Sequence, residues 1–454
     1  MFTITELLIA TTGKLILPGK LTKVDGISID SRTIKQNQAF VALRGSRFDG
    51  HAFIREALSK KASCLIVEKL PHYPIEKDVS VIKVVDTLKA LQDIARFHRQ
   101  RFNIPVIAIT GSSGKTTTKE MLAEILRERF KVLATEGTKN NHIGLPLTLL
   151  NLCSYHEVAV LELGTNHFGE IELLTKISQP NIGIITNIGP AHLEYFGTLN
   201  GVLREKFSLI RQLNLPRIAI LNADDTLLRR KINSKLKDIF VISYGYLHPA
   251  DIKAEDLKLE NGKLIFTTNS GSKINLNTLG VQNCYNALAA AACARCLGVS
   301  WSVIAKRLAH FVFPKGRLQL RRMGKSFVLD DTYNANPASL RQALLALEDY
   351  QNQGRKIVVL GDMLELGKLA KQFHWQAGKY IARICDTMIT VGNLSKIANC
   401  AARNFGLKDD QLYHCQTVRQ AQDILFNKVR PSTKDIVLVK GSHAIGLEQI
   451  FSNT

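Results

Sequence analysis

Along the first hundred residues, short runs of β-branched and aliphatic residues at 26–29, 39–43, 62–67 and 79–85 alternate with stretches at 53–61 and 87–101 of helical spacing. Short apolar runs predict strands and the three-to-four spacing predicts helices, so this region reads as a small α/β unit. After Pro105 the pattern changes. The nearly continuous apolar run 106–110 leads straight into glycines and a helical stretch, and similar runs recur at 158–162, 182–186 and 217–221. Strands apolar on both faces predict a mainly parallel sheet with crossover helices. A Pro/Gly break at 313–316 precedes a third series of runs at 327–331, 356–360, 387–391 and 435–439, again alternating with helices. That series has the pattern of a Rossmann-like unit. The expectation is an α/β chain of three domains, near 1–84, 85–314 and 315–454.

Composition narrows the class. Hydrophobic residues make up 45% of the 454 and charged residues 22%, ordinary for a protein with large cores. No apolar run nears the roughly 18 residues that cross a bilayer. The most apolar stretch, 287–294, is followed at once by Arg295. The first residues lack the basic region and cleavage site of a secretory signal, so a cytoplasmic protein without membrane insertion is expected. Eight scattered cysteines suit a reducing compartment. Cys293 and Cys296 have metal-site spacing, but they lie in an Ala-rich helical segment with no second pair and read as packing residues. The net charge of +21 invites a nucleic-acid partner. Its cations are dispersed, however, with Arg229-Arg230-Lys231 the longest basic run, whereas nucleic-acid binders concentrate charge on a stripe. A diffuse positive field suits anionic small substrates equally well.

The strongest chemical signal is Gly111-Ser112-Ser113-Gly114-Lys115-Thr116-Thr117, directly after one predicted strand and directly before a helix. Glycines let backbone N–H groups face a phosphate at the positive end of the helix. Lys115 is placed to reach the terminal phosphates of ATP, and the Thr116 hydroxyl to ligate its magnesium. Ile109 stands where the standard motif has its first glycine, so the loop is shorter than usual. The ends of the following strands carry Glu162 and His192. Either residue alone would more often be a cap or a turn residue. Paired beside a nucleotide loop, a carboxylate and an imidazole read as metal ligands.

Residues 110–119, 140–144, 162–171, 186–197, 283–289, 330–337 and 359–367 resemble, in order and spacing, the Mur ligase family, over nearly the whole chain. The last two stretches, with 28–32 and 44–53, are similar to the branch that adds D-alanyl-D-alanine to UDP-N-acetylmuramoyl-tripeptide. The resemblance implies a monomeric enzyme of three domains: a UDP-substrate domain, a central P-loop ATPase-like sheet and a Rossmann-like third domain. It uses ATP and Mg2+ and forms an acyl phosphate from the tripeptide carboxylate. It implies that Thr116 holds one magnesium, and that Glu162, His192 and Lys206 hold another. Lysine is cationic and ligates no metal; in the family the matching lysine carries a carbamate. Asn283 and Asn286 resemble adenine contacts, and Arg317 the arginine that reaches the phosphates from the hinge. Asp331 and Tyr333 resemble the third domain's nucleotide contacts, with Asn334 and Asn336 toward the amine substrate. Ser31, Arg32, Arg47 and Asp49 resemble part of the UDP-sugar grip, with Asn140 and Asn141 nearer the reacting end.

Three stretches depart from the family pattern: Gln282 stands where histidine is usual, His142 where an acidic residue is usual, and 440–446, with His443 and Gly446, lacks the arginines the family commonly shows there. The readings weighed against this one are a sister Mur ligase adding the third amino acid, a folate polyglutamate ligase, a P-loop ATPase on nucleic acid, and a non-enzymatic nucleotide-binding module. The first needs a diamino-acid motif in place of 330–337 and 361–367. The second lacks the UDP-sugar stretches, the third predicts a steep salt dependence, and the last leaves Glu162, His192 and Lys206 unexplained.

Overall fold

The computed structural model describes residues 1–452 apart from Ser46, Arg47, Lys235 and Asn261. Three larger sheets organise the chain. The first has five strands in the order Lys14–Leu17, Ser80–Lys83, Cys64–Val67, Ala39–Val41, Ile27–Ser28, parallel except at its first pair. The second has nine: Lys273–Leu276, Lys263–Thr268, Ile252–Glu260, Phe240–Gly245, Ile218–Asn222, Ile182–Ile185, Val106–Thr110, Val158–Glu162 and Val132–Ala134. It is parallel from Ile252–Glu260 onward, and the two hairpin strands before that are antiparallel. The third has six: Gln319–Met323, Ser326–Asp331, Ile436–Lys440, Lys356–Gly361, Thr387–Val391 and Leu412–Cys415, with only the first pair antiparallel. This is the expected α/β plan of three domains, each with a mainly parallel sheet.

The central sheet follows from its sequence. Val106–Thr110, Val158–Glu162 and Ile182–Ile185 are buried along their whole length, as strands covered on both faces must be. Helix Lys115–Leu126 covers one face, and its Met121, Leu122 and Ile125 pack against the alanines of helix Gln282–Cys296. Small side chains let those two helices approach closely. Cys293 lies in that core and Cys296 at its edge, as packing residues should. No helix of the described residues is long and apolar enough to cross a membrane.

From Val106–Thr110 the chain first builds Val132–Ala134 and Val158–Glu162 on one side, then crosses to Ile182–Ile185 on the other. The direction of winding reverses at that strand. Ligands of open parallel sheets bind in the crevice at the carboxyl end of such a switch point. The helix Thr87–Arg99 ties this unit to the first, with Ala90, Leu91 and Ile94 in the core of the first and Ala95 in that of the second.

Candidate active site

A cleft of about 670 Å³ opens at that switch point. Its floor is the loop from Ser112 to Thr117, and its opposite wall comes from the third unit, with Arg317, Asp331, Tyr333, Asn334 and Asn336. The loop is held by the end of the neighbouring strand Ile182–Ile185. Thr186 Oγ1 donates to the Ser113 carbonyl at 2.6 Å, and Ser113 N–H donates to Asn187 Oδ1 at 3.0 Å. A side chain at Gly111 would meet Thr186 Oγ1 at 1.8 Å. Gly114, at φ +79°, caps helix Lys115–Leu126 without any side-chain hydrogen bond. The helix therefore presents uncapped N–H groups and its positive pole to the cleft, the requirement for binding phosphate.

Lys115 lies over this loop and donates to the Gly111 carbonyl at 2.8 Å. Burial lowers its pKa from the ordinary lysine range; the Glu162 charge opposes that shift and Arg317 adds to it. Glu162 is buried at the end of its strand. Its Oε1 accepts from Asn140 Nδ2 at 2.8 Å, while Oε2 is buried with no hydrogen-bond partner. A buried carboxylate oxygen without a partner is costly unless a cation takes it. A hard divalent cation fits this donor set: an unpaired carboxylate oxygen, the Thr116 hydroxyl and the His192 ring all line one cleft. Among the described residues no group of three or more His, Cys, Asp or Glu could hold a metal. A magnesium at a nucleotide is ordinarily completed by water and phosphate oxygens beside one or two protein carboxylates. Lys206, the last residue of helix Leu199–Lys206, is buried behind the lining rather than in it. Burial and then the Lys115 charge push its ammonium well below the ordinary lysine range, with Glu205 opposing.

The third unit meets the middle one at the loop and at His192. Arg317 donates to Thr116 Oγ1 at 3.1 Å and lies 3.7 Å over the Tyr333 ring, whose ring also stacks with His443 at 5.5 Å. Asn336 caps helix Pro337–Asp349 and donates to the Ser112 carbonyl at 3.4 Å. His192 Nδ1 lies 2.5 Å from Glu365 Oε2. Asp331 accepts from the buried Lys440 ammonium, which also donates to the Asn334 carbonyl at 2.9 Å. On the middle unit, Asn286 Nδ2 donates to Asn283 Oδ1 at 2.9 Å, and Thr118 donates to Asn286 Oδ1 at 3.3 Å, fastening helix Gln282–Cys296 to the helix that follows the phosphate loop.

Of the residues expected from the sequence, the loop, Glu162, His192, Asn140, Asn141, Asn283, Asn286, Arg317, Asp331, Tyr333, Asn334 and Asn336 come together. Ser31, Arg32 and Asp49 do not line the cleft. Ser31 donates to Glu56 at 2.6 Å, Arg32 pairs with Asp30 at 2.9 Å, and Asp49 caps the turn Gly50–Phe53. Arg47 lies outside the described residues. Sequence reasoning missed Asn187, Asp225, Lys440 and Glu365. Asn187 and Asp225 each directly follow or lie near a buried strand end, a signal that was available. Lys440 and Glu365 act across elements far apart in the chain and left none.

With this geometry, comparison with known proteins identifies the class. Residues 109–294 match the Mur ligase middle domain, 316–443 the Mur ligase glutamate ligase domain, and 23–99 the Mur ligase family catalytic domain. The chain belongs to the Mur ligase family. It is 34% identical over 434 residues to the UDP-N-acetylmuramoyl-tripeptide–D-alanyl-D-alanine ligase of Bacillus subtilis, covering 94% of this chain and 93% of that one. Among solved structures, MurF from Acinetobacter baumannii superposes with a TM-score of 0.89 at 34% identity, covering 100% of this chain and 98% of that one. MurF ligase from Thermotoga maritima, solved with ADP, superposes with a TM-score of 0.82 at 29% identity, covering 94% and 96%.

Proposed function

We propose that this protein joins D-alanyl-D-alanine to UDP-N-acetylmuramoyl-tripeptide, using ATP, in the reaction class of its full-length relatives. The terminal carboxylate of the tripeptide attacks the γ-phosphorus of ATP, ADP leaves, and an acyl phosphate forms. The dipeptide amine then attacks the acyl carbon, expels phosphate and loses a proton. Such chemistry depends mainly on positioning and on neutralising phosphoryl charge. Lys115 and the N-terminus of helix Lys115–Leu126 hold the phosphates. Arg317, braced on Tyr333, adds a second cation from the third unit. Asn140 keeps Glu162 aimed inward. Thr116, Glu162, His192 and, once carbamylated, Lys206 would hold magnesium, which when bound screens the charge of the phosphoryl oxygens. The observation that carries the reading is the buried, unpartnered Glu162 Oε2 beside Lys115, at the mouth of an uncapped helix.

Phosphate release from ATP is expected only with the UDP-linked tripeptide and D-alanyl-D-alanine together. Replacing the dipeptide by a diamino acid, with the UDP-linked dipeptide as acceptor, should leave release near background. Faster release with that pair would assign the chain to the sister reaction, and release stimulated by DNA alone would overturn the ligase reading.

A further inference from the structure

His192 sits in the left-handed region, at φ +52°, as does Glu365 at φ +61°. Non-glycine residues are strained there, and they persist where the surroundings over-determine them. Here the two strained residues meet each other across the boundary between the middle and third units. Their side chains pair at 2.5 Å through His192 Nδ1 and Glu365 Oε2, and Glu194 N–H donates to the Glu365 carbonyl at 3.3 Å. Two residues on, Gly367 packs so closely that a Cβ there would lie 3.0 Å from Glu194 Cα. The segment that carries Glu365 is thus fitted to the turn that carries His192 by backbone as well as by side chain.

We propose that Glu365 is a positioning residue that fixes the tautomer and orientation of His192, so that docking of the third unit completes the metal side of the nucleotide site. The proposal rests on the metal-dependent ligase reading above. A carboxylate only accepts, so a neutral imidazole facing it carries its proton on Nδ1 and keeps the Nε2 lone pair free. That is the tautomer a cation ligand needs, and ligating histidines commonly owe it to such a carboxylate. The particular consequence lies in the location of the carboxylate. Glu365 is 173 residues from His192 in the chain and belongs to the unit that also carries Asp331, Asn334 and Asn336. Among the described residues Glu365 is the carboxylate that pairs with this ring, so the ring's partner is carried by the third unit. Assembly of the dipeptide side of the cleft and preparation of the phosphate side are one event.

The test uses the full chain, labelled with ¹⁵N-histidine, free of metal and nucleotide. His192→Gln assigns the ring resonances by their loss. Wild type should show the Nδ1–H tautomer at His192, and Glu365→Ala should move that ring toward the Nε2–H form. Glu365→Gln should keep the Nδ1–H form, since its carbonyl oxygen still accepts. In turnover, Glu365→Ala should lower kcat by about 10–100-fold with little change in KM for the UDP-linked substrate. Glu365→Gln should recover most of that loss. A role in stability alone would instead lower the melting temperature and leave the tautomer unchanged. An Nε2–H ring in wild type, or an Nδ1–H ring retained in folded Glu365→Ala, overturns the proposal. Wild type without ligase turnover would overturn the functional reading instead, and the tautomer result would still decide the role of Glu365.

Discussion

Lys115→Ala is expected to lower ATP turnover by at least about 10²–10³-fold while leaving the empty protein as stable as before, or more so. The two halves of that expectation have one cause. The Lys115 ammonium is withdrawn from water over the phosphate loop, and burial draws its pKa below the ordinary range. In the empty site its compensation is the Gly111 carbonyl at 2.8 Å and the field of Glu162. A half-buried cation so placed is kept for what it does to a phosphate, not for stability. When the γ-phosphoryl group transfers, negative charge spreads over its oxygens, and a fixed cation in a water-poor cleft stabilises that charge strongly. Removing one such group typically costs about 3–4 kcal/mol of transition-state stabilisation. Phosphate release and a thermal melt, measured on the same preparation, check both halves. Turnover within a few-fold of wild type would show that the loop does not serve the chemistry, and a large fall in melting temperature would show that Lys115 is structural.

Much of this site was legible because its parts are local. A buried strand that ends in Gly111-Ser112-Ser113-Gly114 before a helix can do little but turn sharply, and the turn alone defines an anion site. Glu162 and His192 were readable because strands apolar on both faces predict a parallel sheet, whose carboxyl edge collects ligands. Arg317, Asp331 and Tyr333 were reached only through family resemblance. What remained hidden depends on pairing over distance. Strand Lys14–Leu17 alternates exposed and half-buried positions at a sheet edge, and Ile252–Glu260 carries five charged residues among its nine. Neither has a clear apolar pattern, because half of each faces water. Lys440 follows the predicted strand 435–439 and is buried against Asp331 and the Asn334 carbonyl. Glu365 lies inside the stretch 359–367, and its partner is 173 residues away. The departure at His443 also gains a setting. Where the family commonly carries arginine, this ring extends the Arg317–Tyr333 stack at the edge of the cleft.

Lys206→Ala should lose most activity, and a small carboxylic acid added to the assay should restore part of it. Lys206→Arg should be as inactive as alanine and should not be rescued. Lys206 is buried, and among the described residues no carboxylate lies within ion-pair distance of it. Its neighbour Glu205 is committed elsewhere, accepting from the N–H groups of Gly169 and Ile171 at 2.8 Å each at the start of helix Glu170–Ser178. Burial and then the Lys115 charge lower the pKa of Lys206 well below the ordinary lysine range, which favours the free amine. A free amine is the form that reacts with carbon dioxide: the nitrogen lone pair bonds to the carbon, one N–H proton is released, and an anionic carbamate results. Carbamylation would turn the repulsion between Lys206 and Lys115 into attraction and would add an anionic oxygen beside the His, Asp and Glu of the described residues, among which no group of three or more could hold a metal. Glutamate in its place is too short to reproduce the reach. An acid diffusing into the space left by alanine can supply a carboxylate at that position, whereas a guanidinium fills the space and keeps the positive charge. Near-normal rates for Lys206→Arg, or rescue of that variant by the acid, would mean that Lys206 acts as a plain cation and that the missing ligand comes from water or the nucleotide.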